Sequence, residues 1–265
     1  MSPYFLSDVD RFPVPDNMVA WDISFDDYCP PSFTAPEILE NGGEIDLENI
    51  PEEEREGKIS FNSDDRSSLM DTPYVIDAGL PRNPIGRTGL KGRGKLPRWG
   101  PNRTWDPVIT RWKKDPATDS RVKGTDGRDV LEFLAVLRTD TKQWSFPGGM
   151  RRDDKNHFAA LKVNFKAKGL SQEKSTEKVK QKLEPLKKEV YSGYTDVPLN
   201  TDNAWMETTV ANFHAEDDVI FRDINILAGH DSNYVKWQTV STDLPLWGSQ
   251  TYFLKLVAEL HDASI

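Results

Sequence analysis

From residue 107 onward the chain alternates strand-like and helix-like hydrophobic periods, and this alternation restricts the fold more than any other feature. PVITRW (107–112) and VLEFLAVLR (130–138) are short runs rich in β-branched and aromatic residues, the pattern of buried strands. Turn chemistry, KDPATDSRVKGTDGRD, fills the interval, so a hairpin is expected. WSFPGG (144–149) ends a short strand in a tight turn. HFAALKVNFKAKGL (157–170) sets Phe158, Ala159, Leu161 and Phe165 at helical spacing with Gly169 as a stop, which predicts an amphipathic helix. A second helical stretch, 171–190, is interrupted by Pro185. Strands are expected around EVYSGYT, AWMETTVANFHA and VKWQTVS, and TYFLKLVAELHD closes as an amphipathic helix with Phe253, Leu254, Leu256, Val257 and Leu260 inward. Strands, hairpins and helices in this mixture predict an α/β or α+β sandwich with a mixed sheet.

The first hundred residues have another texture. Residues 1–36 scatter Tyr4, Phe5, Phe12, Trp21, Phe25, Tyr28 and Phe33 among prolines, which reads as extended chain laid over another surface. Residues 37–66 are acidic, with Glu52, Glu53 and Glu54 in a row, and read as an exposed, mobile insertion. GLPRNPIGRTGLKGRGKLPRWGPNR (79–103) has the composition of a phosphate loop but neither P-loop nor GxGxxG order. The competing reading is a turn-rich connection whose arginines bond backbone carbonyls. Two domains are therefore expected: a smaller N-terminal one over 1–105 and a larger one over 106–265.

The 265 residues carry a net charge of -9, which argues against nucleic acid as a partner of the whole molecule. Eight Trp and twelve Phe supply a real core. No apolar run reaches the roughly 18 residues of a membrane span, so direct membrane insertion is not expected. The N-terminus has neither signal-peptide nor transit-peptide character. With Cys29 alone, no internal disulfide can form.

Five blocks in order carry a resemblance: RFPVPDNMVAWDISFDDYCPP (11–31), RNPIGRTGLKGRGKLPRWGPN (82–102), WSFPGGM (144–150), GYTDVPLNTDNAWMET (193–208) and VKWQTVSTDLPLWGSQTYFLKLVAE (235–259). Together they resemble the ADP-ribose pyrophosphatases of the Nudix superfamily, and equally the Nudix-like C-terminal domain of ADP-ribose-gated melastatin-type TRP channels. The resemblance implies an α/β/α Nudix sandwich with a mixed sheet from about residue 105, a smaller N-terminal subdomain before it, and ADP-ribose in the cleft between. The stretch looks like an excised channel domain at least as much as a whole enzyme.

Within that resemblance the chemistry is altered. A Nudix box reads Gly-x5-Glu-x7-Arg-Glu-apolar-x-Glu-Glu. With Gly149 as the first glycine, its polar positions fall on Lys155, Val163, Asn164, Ala167 and Lys168, and Phe165 fills the apolar one. Pyrophosphate cleavage needs Mg²⁺ on hard carboxylate oxygens, and none of these side chains is a carboxylate. No catalytic residue and no metal site are therefore expected, and no cofactor; Mg²⁺ would be needed only if the chain hydrolyses. A rescue by Asp153, Asp154, Asp196 and Glu207, or by Glu216, Asp217, Asp218 and Asp223, stays open. The four histidines lack zinc spacing.

The resemblance places ligand contacts on Gly148, Gly149, Met150, Asp196, Asn200, Asp202, Asn203, Trp247 and Gln250, with Trp247 able to stack on a base or ribose. Val197 and Leu199 stand where the family has Asp and Arg beside the terminal ribose and phosphates. For Asp202, Asn203 and Trp205, a strand-entry turn with a core indole is the competing reading. The expected function is a catalytically inactive ADP-ribose-sensing or interaction domain on the cytoplasmic side of a melastatin-type channel, with other domains of that channel as partners and weakened nucleotide binding. The alternatives are an active ADP-ribose pyrophosphatase, soluble inside the cell or mitochondrial, and a structural module that binds no nucleotide.

Overall fold

The computed structural model describes every residue except 1–2, 41–45, 48–49, 51–57, 64, 152–162, 218–219, 222–223 and 229–231. In chain order its elements are β1 (Ser32–Thr34), α1 (Pro36–Glu40), β2 (Ile76–Asp77), β3 (Leu80–Pro81), β4 (Lys91–Gly94), β5 (Gly100–Trp112), β6 (Leu131–Arg138), β7 (Trp144–Ser145), β8 (Gly149–Met150) and β9 (Val163–Ala167), followed by α2 (Gln172–Leu183), β10 (Lys187–Tyr194), β11 (Ala204–Ala215), β12 (Ile224–Ala228), β13 (Ser232–Thr239) and α3 (Gln250–Leu260). Two compact units result: Met1–Arg103 with Gly193–Glu207, and Thr104–Ser192 with Thr208–Ile265. Among the described residues no helix is long and apolar enough to cross a membrane.

In the second unit the main sheet runs β10-β11-β5-β6-β13, with β7 on β6 and β8 on β5. Side chains alternate along a strand, and here both faces are covered. Val108, Leu131, Phe133, Ala135 and Val210 pack with Phe253, Leu254, Val257 and Ala258 of α3. Ile109, Leu134, Val136, Ala211 and Phe213 pack on the other face with Val179 and Leu183 of α2. The result is a helix–sheet–helix sandwich of mixed α/β class, and burial on both sides explains why β6 reads as an almost unbroken apolar run. Helix α2 starts at Ser171, whose hydroxyl accepts from Lys174 N, and buries only the narrow stripe Ser175, Val179, Leu183. It ends where Pro185 forces a tighter turn over Glu184–Leu186.

One expected element is replaced. The helix predicted over 157–170 is absent from its second half: Val163–Ala167 is strand β9, antiparallel to β12 with Phe165 opposite Ile226. The sequence VNFKA satisfies a period of two as readily as one of 3.6, and a β-capable partner, INILA, decides between them. Phe165 is fully buried in this arrangement, and Gly169 turns the chain out with φ of 78°. Phe158, Leu161 and Lys155 lie outside the described residues.

In the first unit, the aromatic N-terminal segment does lie along the Gly/Arg segment. Phe12 N bonds Gly89 O at 2.8 Å, Arg87 N bonds Val19 O at 2.8 Å, and Lys91 N bonds Pro31 O at 2.9 Å; β1 pairs parallel with β4. Close backbone approach explains the glycines. Gly89, at φ of 82°, would place a Cβ 2.2 Å from Phe12 O, and Gly92, at 93°, would place one 2.4 Å from Phe33 O. Arg87 donates to Met18 O, Ala20 O and Ile23 O at 2.8, 2.6 and 3.0 Å, with its guanidinium 5.0 Å from the Trp21 ring centre. The glycines and arginines of 79–103 thus serve chain packing, and the phosphate-loop reading gives way to the carbonyl-bonding one. At the start of the acidic stretch 37–66 the chain is helical over Pro36–Glu40, and farther on Asp46 is fully buried. An exposed reading therefore fails at Asp46, which bonds Arg66 at 3.0 Å and faces the fully buried Arg93 at 3.9 Å.

Candidate functional site

The NTDNAW segment of the first unit is held by its own hydrogen bonds. Asp202 is 2% exposed and accepts from Tyr28 Oη at 2.6 Å, Thr88 N at 2.7 Å and Thr88 Oγ1 at 2.8 Å. Burial pushes its carboxyl above the usual carboxylate range, against the pull of those donors. Asn203 accepts from Gly92 N at 3.0 Å and donates to Pro81 O at 2.9 Å. Asn200 donates to Thr195 O and Tyr194 Oη and accepts from Met206 N, all at 2.9 Å. Trp205 is fully buried and donates to Glu207 Oε1 at 2.8 Å. Glu207 also accepts from Ser68 Oγ at 2.7 Å and from Leu69 N. These contacts knit 193–207 to three other segments of the unit.

Beside this segment lies a cavity of about 580 Å³, whose lining combines polar Arg11, Arg87, Thr88, Tyr194, Asp196 and Asn200 with apolar Val19, Ile85, Val197 and Pro198. Its size is that of a small-molecule pocket. Arg11 donates to Thr88 O at 2.9 Å, Pro198 O at 2.7 Å and Asn200 O at 2.9 Å. Burial pulls its pKa down while Tyr4 and Asp202 push it back. A guanidinium bonded to neutral carbonyls keeps its charge, so Arg11 and Arg87 give the cavity a fixed positive potential. Asp196, exposed at the same cavity, is the opposing carboxylate. Tyr194 Oη accepts from Asn83 at 3.3 Å and from Asn200. Such a lining can orient hydroxyls and accommodate an anion. Val197, only 7% exposed, contributes methyl surface.

The second unit holds the remaining expected contacts. Gly148 passes so close to β5 that a Cβ would sit 2.1 Å from Trp105 O, and Gly149 and Met150 pair with Trp105 and Thr104. Gln250 accepts from Phe146 N at 2.9 Å and donates to Asp106 Oδ1 at 3.2 Å, and Thr208 donates to Asp106 Oδ2 at 2.7 Å. Asp106 joins Gln250 to β5 and β11, a role that the residues around it in TWDPVIT do not signal. Trp247 is 9% exposed, and the Arg138 guanidinium lies 4.2 Å from its ring centre, so that face is already covered.

Of the degenerate box positions, Val163, Asn164 and Ala167 fall in β9 and Lys168 in the exposed turn after it; Lys155 lies outside the described residues. This donor set does not fit a divalent cation. Val and Ala offer no ligand atom, Asn one neutral oxygen, and Lys a repelling charge. Among the described residues no three His, Cys, Asp or Glu side chains converge to hold a metal. Glu207 is committed as described, and Glu216 bonds Trp112, Arg121 and His214. Asp153, Asp154, Asp218 and Asp223 lie outside the described residues.

Comparison with known proteins identifies the family. Residues 14–100 match the model of the NUDT9-like N-terminal domain. The chain is 40% identical to "ADP-ribose pyrophosphatase, mitochondrial" of Rattus norvegicus over 99% of its own length and 77% of that protein. It is 35% identical to "Putative nudix hydrolase 6" of Caenorhabditis elegans, over 97% of this chain and 94% of that one. It is also 40% identical, over 99% of its length, to "Transient receptor potential cation channel subfamily M member-like 2" of Nematostella vectensis, of which it spans 18%. The chain belongs to the ADP-ribose pyrophosphatase-like family of the Nudix superfamily.

Proposed function

We propose that this chain is a non-hydrolytic Nudix domain that takes ADP-ribose or a related nucleotide as a ligand, and that it serves as a sensing or interaction domain on the cytoplasmic side of a melastatin-type cation channel. Identity does not separate channel from enzyme, since it is 40% to each. The observation that carries the reading is the box itself. Counted from Gly149, the family's metal-handling positions fall on Val163, Asn164, Ala167 and Lys168, and without Mg²⁺ the charge that develops on a pyrophosphate in flight has lost its largest stabilising partner.

Retained binding is supported by the positively biased cavity of the first unit and by the glycine-bearing segment Gly148–Met150, which pairs with β5. Weakened binding follows from Val197 and Leu199: each lost charged contact costs about 1.5–3 kcal/mol, roughly 10- to 150-fold in affinity. Binding by these residues requires no metal.

Titration calorimetry with ADP-ribose in the presence of EDTA tests the ligand. A saturable heat, unchanged when Mg²⁺ replaces EDTA, is the expected result. Absence of heat up to millimolar ligand would leave a structural module and refute the sensing reading.

A further inference from the structure

Where α3 ends, the second unit packs two imidazoles against each other. His214 on β11 and His261, the residue after α3, stack with ring centres 4.2 Å apart and planes 36° apart. Their hydrogen bonds can all be made by neutral rings. Asn212 Nδ2 donates to Val108 O and to Thr110 Oγ1, both at 2.9 Å. Both amide hydrogens are thus committed, and Asn212 Oδ1, 2.7 Å from His261 Nε2, can only accept. In a neutral His214 whose Nε2 donates to Glu216 Oε2 at 3.1 Å, Nδ1 accepts from the Thr110 hydroxyl at 3.1 Å. Two neutral rings satisfy every one of these contacts.

The surroundings oppose a second proton. Lys188 from β10 bears on both rings and Arg121 on His214. The Trp112 ring of β5 meets His214 and His261 edge-on at 5.1 and 6.2 Å. Glu216 is the carboxylate facing the pair, and it is held by Arg121 and by Trp112 Nε1. Asp129 is paired with Arg121 at 3.3 Å and Lys123 at 2.6 Å. Glu216 therefore favours a proton on His214, and a charged His214 repels one on His261. Burial first, then that repulsion, brings His261 down to about 4; burial also lowers His214. Backbone bonds beside the stack fasten the end of α3. His261 N and Ala263 N both bond Ala258 O, at 3.2 and 2.9 Å, and Ser264 N bonds Asp129 O at 2.8 Å.

We infer that the His214–His261 stack is an acid-released latch: neutral, it holds residues 262–265 against the sheet, and protonated, it lets that segment and the last turn of α3 open. An open-state histidine takes up its proton below about 6.5, whereas the latched one resists until about 4. The latch is therefore fully effective above pH 6.5 and is lost as pH falls toward 4. Because His261 is only half-buried, the opening equilibrium should rise about 5- to 50-fold between pH 7 and 4.5, less than the full shift would give.

Imidazole NMR and amide exchange on the intact chain test this. His261 is expected to titrate well below 6. After correction for intrinsic exchange, the Ala263 and Ser264 amides are expected to lose about 5- to 50-fold of their protection at pH 4.5, while Leu254 keeps its own. His261→Gln, which keeps an amide donor for Asn212 but cannot titrate, is expected to abolish that pH dependence. A His261 midpoint near 6.5, equal protection at both pH values, or an unchanged pH dependence in the Gln variant would each overturn the latch.

Discussion

Asp46→Ala is expected to destabilise the first unit by about 3–5 kcal/mol, the cost of leaving a buried charge without its partner. Asp46 Oδ2 accepts from Arg66 Nη1 at 3.0 Å and Trp99 N at 3.0 Å, and Oδ1 accepts from Leu47 N at 2.9 Å. Arg93 lies 3.9 Å away with a fully buried side chain. Removing one carboxylate strands two guanidinium groups, one of them out of reach of water. Against a typical total stability of about 5–15 kcal/mol, that change is enough to separate the unfolding of the first unit from that of the second in a urea titration followed by circular dichroism. A loss under about 1 kcal/mol would mean that the triad does not organise the unit.

Asp202→Ala is expected to cost about 3 kcal/mol, because Tyr28 Oη, Thr88 N and Thr88 Oγ1 would all lose their acceptor in a buried place. Asp202→Asn keeps an acceptor for Thr88 and should cost less. Acid should not loosen this contact. The carboxyl is raised in the folded chain, so the folded state binds the proton more tightly than the unfolded one, and this group's contribution grows as pH falls through the folded value. Thermal melts with and without ADP-ribose separate scaffold from ligand contact. A scaffold residue loses melting temperature and keeps its ligand-induced shift. An Asn variant that melts like the parent but shows no shift would instead make Asp202 a direct contact.

The sandwich is legible because strand and helix patterns differ: α2 and α3 show the helical period, and β6 is an apolar run of strand length. Val163–Ala167 was not legible, because five residues fit both periods and the choice belongs to a partner strand sixty positions away in sequence. The Gly/Arg segment looked like a phosphate loop since composition reports glycine and arginine but not what stands opposite them; Phe12 O, Phe33 O and the carbonyls of 18–23 do. The family blocks pointed to Asp202, Asn203 and Trp247 as ligand contacts. Motif positions mark where a family keeps its residues, whereas burial and hydrogen bonding depend on distant chain segments such as Tyr28, Pro81 and Arg138. Asp106 and the paired histidines give no local signal at all, because their partners are separated from them by tens of residues.

The central claim is that a Nudix frame remains here without its hydrolytic chemistry. Its most direct test is to incubate the chain with ADP-ribose and either Mg²⁺ or Mn²⁺, beside an active pyrophosphatase of the family, and to follow AMP and ribose 5-phosphate by chromatography. No product above the protein-free control is predicted with either metal; turnover approaching that of the active enzyme would contradict the account.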